Sequence, residues 1–329
     1  MKIPGLQALA RDRFFHLLLL IGAGLSLFVP FAPQAWPAAI DWRTIITLSG
    51  LMMLTKGVEL SGYFDVLGRK MVRRFATERR LSLFMVFSAA VLSTFLTNDV
   101  ALFIIVPLTL TLRKLCEIPV SRLIIFEALA VNAGSLLTPI GNPQNILLWG
   151  RSGLSFAAFT WQMAPLALVM MLSLLAVCWF AFPDKKLQYH SGTTGPQWQP
   201  RLVWSCLGLY IVFLFALELK YEVAGVLLVA AGFVVLARRV LVSVDWTLLL
   251  VFMVMFIDVH LLIQLPVLQN VLHSVSTLSQ PGLWLTAIGL SQFISNVPST
   301  ILLLNYVPPD TLLAWAVNIG GFGLLPGSL

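Results

Sequence analysis

Six apolar stretches, residues 15–32, 43–62, 157–182, 202–217, 221–237 and 245–263, each approach the roughly 20 residues a helix needs to cross a bilayer. In hydrocarbon every backbone N–H and C=O must find a partner inside its own segment, so these stretches are expected as helices. The chain has 329 residues, 59% hydrophobic and only 11% charged, against about 25% charged in a soluble domain. That balance excludes an ordinary soluble enzyme, a disordered chain and a nucleic-acid-binding module. The fold class expected is an all-α polytopic membrane protein, with the lipid bilayer as its first partner.

The net charge of +7 reports orientation rather than a nucleic-acid partner. With a cytoplasmic N-terminus, 17 of the 21 Lys and Arg residues fall in cytoplasmic segments. Arg43, Arg151 and Lys220 fall outside, and Lys56 lies within a span. This is the positive-inside asymmetry, and it requires residues 81–112 to enter and leave on one side. No cleavage site closes the first apolar run, so it reads as a retained first helix. Residues 184–201 form the one long polar linker, cytoplasmic by this count, between halves 1–183 and 202–329. Cys116, Cys178 and Cys206 have no metal-like or redox-like spacing and read as apolar helix fillers.

Three further apolar regions are interrupted. Thr97-Asn98-Asp99 sits in the middle of 81–112, and Ser295-Asn296 and Pro298 in 282–305. Residues 123–150 hold Asn132, Gly134, Pro139, Gly141, Asn142, Pro143, Gln144 and Asn145. Polar groups left bare in hydrocarbon cost several kcal/mol each by rough estimate. Irregular backbone at that depth is tolerated where it lines a cavity within protein. Residues 81–112 and 282–305 therefore read as re-entrant hairpins, and 123–150 and the stretch from about 310 as broken helices.

The halves repeat each other. Asp41-Trp42 and Asp245-Trp246 each open a span. Leu92-Ser93-Thr94-Phe95-Leu96-Thr97-Asn98 parallels Leu290-Ser291-Gln292-Phe293-Ile294-Ser295-Asn296, and Val131-Asn132-Ala133-Gly134 parallels Val317-Asn318-Ile319-Gly320. Four crossings separate the two Asp-Trp spans, so the second repeat starts from the opposite face and the repeat is inverted. Inverted repeats with discontinuous helices and a midplane site are the architecture of secondary transporters.

The chemistry follows from the breaks. Asn98 and Asn296 offer an amide oxygen to a cation and amide N–H groups to an anion, and Thr97 and Ser295 add hydroxyls. Half-helix N-termini favour anions, and unwound carbonyls favour Na⁺. The facing loop supplies Asn132, Gly134, Ser135, Thr138, Gly141, Asn142 and Asn145, with Asn318 as the counterpart of Asn132. Asp99, Glu127, Asp258 and His260 are the candidates for proton coupling, because an intramembrane charge faces protein or water. Lys56 and Glu59, three residues apart on one helix, are expected to neutralise each other. The sequence carries no cofactor motif; the coupling species is Na⁺ or H⁺.

The motifs TFLTNDVALFIIVP, GSLLTPIGNPQN and SQFISNVPSTILL resemble the ion-transporter superfamily of arsenite permeases, NhaD-type Na⁺/H⁺ antiporters, CitM-type citrate permeases and divalent-anion symporters. The resemblance extends over essentially the whole chain. It implies a scaffold domain, a moving transport domain, alternating access, a homodimer, and substrate and ion sites at Asn98 and Asn296. It also places the chain as a multi-pass protein of a bacterial-type inner membrane. Carboxylate symporters of this group carry Ser-Asn-Thr at both tips, whereas here the tips read Thr97-Asn98-Asp99 and Ser295-Asn296-Val297. The third hydroxyl is absent twice, and Asp99 adds a carboxylate that suits a cation or a proton. The chain stops at Gly327-Ser328-Leu329, inside the second broken-helix motif. By the repeat, the native protein is expected to run on, with an Asn two residues further and one more span.

The function expected is secondary active transport of a small anion, a citrate-like carboxylate or an arsenite-type oxyanion, coupled to Na⁺ or H⁺. The alternative is a Na⁺/H⁺ antiporter using Asp99, followed by a passive channel suggested by Asn142-Pro143. An intramembrane enzyme finds no support, since the chain has no His-Glu-x-x-His, paired aspartates or nucleophile elbow.

Overall fold

The computed structural model describes residues 12–30, 32–63, 66–67, 70, 74–113, 116–188 and 198–323. Gly327-Ser328-Leu329, His190 and the middle of the polar linker lie outside the described residues. Among these residues the chain is helical, with one isolated bridge between Thr77 and Lys186. The helices are α1 (Arg13–Leu25), α2 (Trp36–Ala39), α3 (Trp42–Leu60), α4 (Glu78–Phe95), α5 (Asn98–Leu112), α6 (Val120–Ser135), α7 (Pro143–Ser152) and α8 (Phe156–Ala181). They continue as α9 (Pro200–Glu218), α10 (Glu222–Leu236), α11 (Arg238–Ser243), α12 (Trp246–Ile263), α13 (Pro266–Val275), α14 (Gln280–Ile294), α15 (Asn296–Leu303) and α16 (Thr311–Gly320). This is an all-α polytopic membrane protein.

Of the described helices, α8, α9 and α12 are long and apolar enough to cross a membrane, while α1, α5, α10 and α16 are shorter apolar helices. Trp161, Phe180 and Val235 stand 81%, 85% and 84% exposed. Apolar surface of that extent suits lipid contact rather than water. The first span differs from expectation: the helix expected over 15–32 ends at Leu25, beyond which the Leu27 and Phe28 N–H groups bond carbonyls three residues back, those of Gly24 and Leu25.

The two Asp-Trp pairs act alike. Asp41 Oδ1 accepts from the Thr44 N–H at 2.9 Å, and Asp245 Oδ1 from the Thr247 N–H at 3.1 Å. Each aspartate thus satisfies an orphan donor of the helix that its tryptophan opens.

The chain divides into two compact units, one of residues 1–49, 146–153 and 244–329, the other of 50–145 and 154–243. In the second, α4 and α6 form the centre. Buried Leu81, Met85, Val86, Ala89 and Ala90 of α4 recur at helical spacing, as do Leu123, Ala130 and Val131 of α6. These faces pack together with Leu174 and Cys178 of α8 and with Phe182. The three cysteines are buried and unpaired, and Cys116 and Cys178 are members of this core. The polar linker begins as a partner to the start of the hairpin: Glu78 N–H donates to the Lys185 carbonyl at 2.9 Å, and Leu187 N–H to the Ala76 carbonyl at 3.0 Å.

In the other unit, α12 packs on α1, and α14 packs on α15 and α16. Arg43 Nη1 donates to the Gly150 carbonyl at 3.1 Å, and Arg151 Nε lies 3.6 Å from Asp41 Oδ2. These contacts fix the start of α3 against the end of α7.

Candidate functional site

In the unit containing Asn98, the helix breaks at Leu96 and Thr97, both extended (φ −110°, ψ 159° and φ −65°, ψ 150°). Asn98 then opens α5 and donates its backbone N–H to the Gly141 carbonyl at 2.9 Å. The hairpin tip is thereby fastened to the loop between α6 and α7. Gly141 is required there, since a Cβ would overlap the Ser135 carbonyl.

That loop is held by its own side chains. Asn145 N–H donates to Asn142 Oδ1 at 2.8 Å, and Asn145 Nδ2 donates to the Leu136 and Thr138 carbonyls, both at 3.0 Å. Asn142 Nδ2 donates to Ser135 Oγ at 3.3 Å, and Thr138 Oγ1 to the Thr94 carbonyl at 2.6 Å. Ser135 Oγ donates to the Asn132 carbonyl at 3.1 Å. Ser135, Thr138, Gly141, Asn142 and Asn145 are therefore brought together, and much of their bonding capacity goes into loop shape. Asn98 is different. Its Oδ1 is buried and has no hydrogen-bond partner among the described residues. Buried polar oxygens are nearly always bonded, which sets this one apart from the bonded amides of the loop. Asp99 stands in the first turn of α5, where the helix dipole favours negative charge.

In the other unit, α14 breaks at Ser295, whose φ of 73° and ψ of 157° lie in a region L residues rarely adopt. Ser295 Oγ lies 3.3 Å from Asn296 Oδ1, which it reaches as donor. Ser299 and Thr300 hydroxyls donate to the Ser295 and Asn296 carbonyls, each at 2.7 Å. Asn318 Nδ2 donates to the Ala314 carbonyl at 2.8 Å, within its own helix.

One packing contact occurs in both units. A Cβ on Gly134 would overlap the Ala90 carbonyl and stand 2.5 Å from Ser93 Oγ. A Cβ on Gly320 would overlap Ser291 Cβ and stand 3.3 Å from the Ile288 carbonyl. Thr94 Oγ1 donates to the Gly134 carbonyl at 3.2 Å, and Gln292 Nε2 donates to the Gly320 carbonyl. Thr94 and Gln292 sit at matching places in the paralleled motifs, yet neither announces this role. The signal was the pairing of each with a glycine in the last turn of a helix, Gly134 of α6 and Gly320 of α16.

The other titratable candidates lie away from the tips along the chain. Glu127 is buried in the middle of α6. Asp258 is buried on α12 against Gly22 of α1. His260 shares a 2.7 Å hydrogen bond with Gln264. Lys56 Nζ meets both Glu59 carboxylate oxygens, at 2.9 and 2.8 Å.

Comparison with known proteins decides the class. Residues 12–319 match the family described as citrate transporter (CitMHS). The chain belongs to that family. It is 78% identical over 329 residues to the inner membrane protein YbiR of Escherichia coli, covering 100% of this chain and 88% of the relative. It is 30% identical over 326 residues to an uncharacterized transporter of Methanocaldococcus jannaschii, covering 96% and 87%. It is 28% identical over 144 residues, 43% of this chain and 25% of the relative, to a Dictyostelium discoideum protein named arsB. The chain is a multi-pass membrane transporter and not an enzyme.

Proposed function

We propose that this transporter is a secondary active permease for a small anion, coupled to Na⁺ or H⁺ and working by alternating access. A citrate-like carboxylate or an arsenite-type oxyanion is the substrate class, supported by the citrate transporter family and by the arsB-named relative. The observation that carries the reading is the buried Asn98 Oδ1, without a hydrogen-bond partner among the described residues, at a helix break tied to Gly141. An amide placed there offers oxygen to a cation and N–H groups to an anion from one side chain. The coupling ion binds at the Asn98 tip and the 132–145 loop. The anion follows, drawn by amide N–H groups and the N-termini of half-helices such as α5. Thr97, Asn98 and Asp99 belong to one tip, Ser295 and Asn296 to the other.

A repeat is supported by the paired Asp caps and by the recurring Gly134–Ser93 and Gly320–Ser291 contacts, and its inversion follows from the four crossings expected between the two Asp-Trp spans. The reading further takes a cytoplasmic N-terminus from the charge asymmetry, an inner-membrane location from the relative YbiR, and a homodimer from the resemblance.

The second reading is a Na⁺/H⁺ antiporter. Asp99 at the tip, in place of a third hydroxyl, favours it. The test is reconstitution of the full chain in liposomes holding a pH dye, with an imposed Na⁺ gradient and a panel of anions. A response that needs one anion establishes the permease and names its substrate class. A Na⁺-driven pH change with no anion establishes the antiporter instead.

A further inference from the structure

Glu127 is a carboxyl in an apolar place. It lies on the face of α6 that also carries Leu123, Ala130 and Val131, all fully buried. That face packs into the core shared by α4, α5 and α8. One oxygen, Oε1, accepts from the Thr109 hydroxyl of α5 at 2.6 Å. The other, Oε2, is buried and has no partner among the described residues.

Among the described residues no cation bonds it from the packed elements, and Arg113, which ends α5 one turn beyond Thr109, is exposed. Arg79 on α4 donates to the Phe182 carbonyl, and Arg122, on α6 itself, donates to the Ala181 carbonyl. Glu78 and Arg80 stand in the first turn of α4. Asp99 is ten residues from Thr109 on α5, about 15 Å along a helix. The thiols Cys116 and Cys178 lie in the core into which this face packs. An unpaired carboxylate in such surroundings is strongly disfavoured, and a neutral acid is not.

Packing alone does not ask for an acid here. Counted from the paralleled Val-Asn-x-Gly motifs, the residue matching Glu127 is Leu313, which is fully buried on α16. An apolar side chain thus fills the same place in the other unit.

We propose that Glu127 is a proton-binding site whose occupancy is coupled to the packing of the hairpin arm α5 against the broken helix α6. With α5 seated, Glu127 holds its proton and Thr109 bonds it. Losing the proton to water requires α5 to part from α6. By linkage, the proton then favours the seated arm and its release favours the parted one. A proton enters and leaves as H⁺, with no other bond changed. Because α5 begins at Asn98 and α6 ends at Ser135, the two elements that move are those that carry the tip and its loop. This deepens the transport reading and rests on it only where flux is measured.

The test uses the full chain in lipid. Infrared spectroscopy across about pH 5 to 9, the range in which buried carboxyls titrate, should show a carboxylic-acid carbonyl band. That band should be absent in Glu127→Gln and should fade as pH rises. Glu127→Gln keeps an acceptor for Thr109 and should unfold at the parental temperature or above. Where the parent's flux changes about tenfold across the titration, Glu127→Gln should change by less than about twofold. Thr109→Val, which removes the hydroxyl that bonds the acid in the seated arm, should move the flux midpoint to lower pH. A missing band, or a band that persists unchanged across the range, overturns the proposal. So does a Glu127→Gln flux profile that follows pH as the parent does. If no substrate moves in any variant, the transport reading fails, and the infrared titration still decides the proton site.

Discussion

Gly134 lies so close to Ala90 that a side chain on it would overlap the Ala90 carbonyl oxygen. This contact sets the distance between the hairpin and the broken helix beside the tip. Gly134→Ala must push α4 and α6 apart, and overpacking of this kind costs about 1–3 kcal/mol or more. Thermal unfolding in detergent should show the loss. Gly320→Ala meets mainly the Ser291 side chain and should lose less; the pair Gly320→Ala/Ser291→Gly should recover part of that loss.

Asn98 and Asn145 should separate cleanly in their effects. Asn98→Ala removes an oxygen with no partner among the described residues, so uptake should be lost while expression and unfolding temperature hold. Asn145→Ala removes a donor from the Leu136 carbonyl and leaves the Thr138 carbonyl only the Gly141 N–H at 3.3 Å. Each buried group left bare costs about 1–3 kcal/mol, and stability should fall with activity. Full uptake in Asn98→Ala and in Asn296→Ala would remove both tips from the site.

Asp99 bears on the coupling cation. A unit charge about 4 Å away is worth about 4 kcal/mol at an effective dielectric of 20. Asp99→Asn should therefore raise the half-saturating cation concentration by about tenfold or more. An unchanged cation dependence would place the ion elsewhere.

Ser295 predicts a gain rather than a loss. Its φ of 73° with ψ of 157° is a conformation glycine adopts freely and L residues hold at a cost of about 1–3 kcal/mol. Ser295→Gly should stabilise the protein by about 1 kcal/mol and Ser295→Val should destabilise it by more. Chemical or thermal unfolding of the two variants reads the sign directly.

The helix breaks were legible because chemistry marks them: Asn98 and Ser295-Asn296 interrupt apolar runs that would otherwise continue. The Lys56–Glu59 pair was legible from spacing alone, because both residues share one helix. What spacing could not give was partnership between elements. Thr109 bonds Glu127 from a different helix, and Thr94 reaches Gly134, because packing sets their register. The roles of Asn142 and Asn145 were hidden for a related reason. An amide offers the same groups to an ion as to a backbone carbonyl, and only the loop's geometry shows which it meets. The early end of α1 at Leu25 was missed because the apolar run continues past it, while the next N–H groups, of Leu27 and Phe28, bond three residues back.

The two tips, alike in sequence, are not alike in backbone. Thr97 and Ser295 share ψ near 150° but differ in the sign of φ, and Leu96 is extended where Ile294 is still helical. The two tips are thus related by turning over a single amide plane, which leaves one carbonyl outside a helix and its counterpart within one. Duplicated motifs usually suggest equal binding sites. Here the unlike backbones fit the proposal that the coupling ion settles at the Asn98 tip, and a titration with that ion should report one site rather than two equal ones.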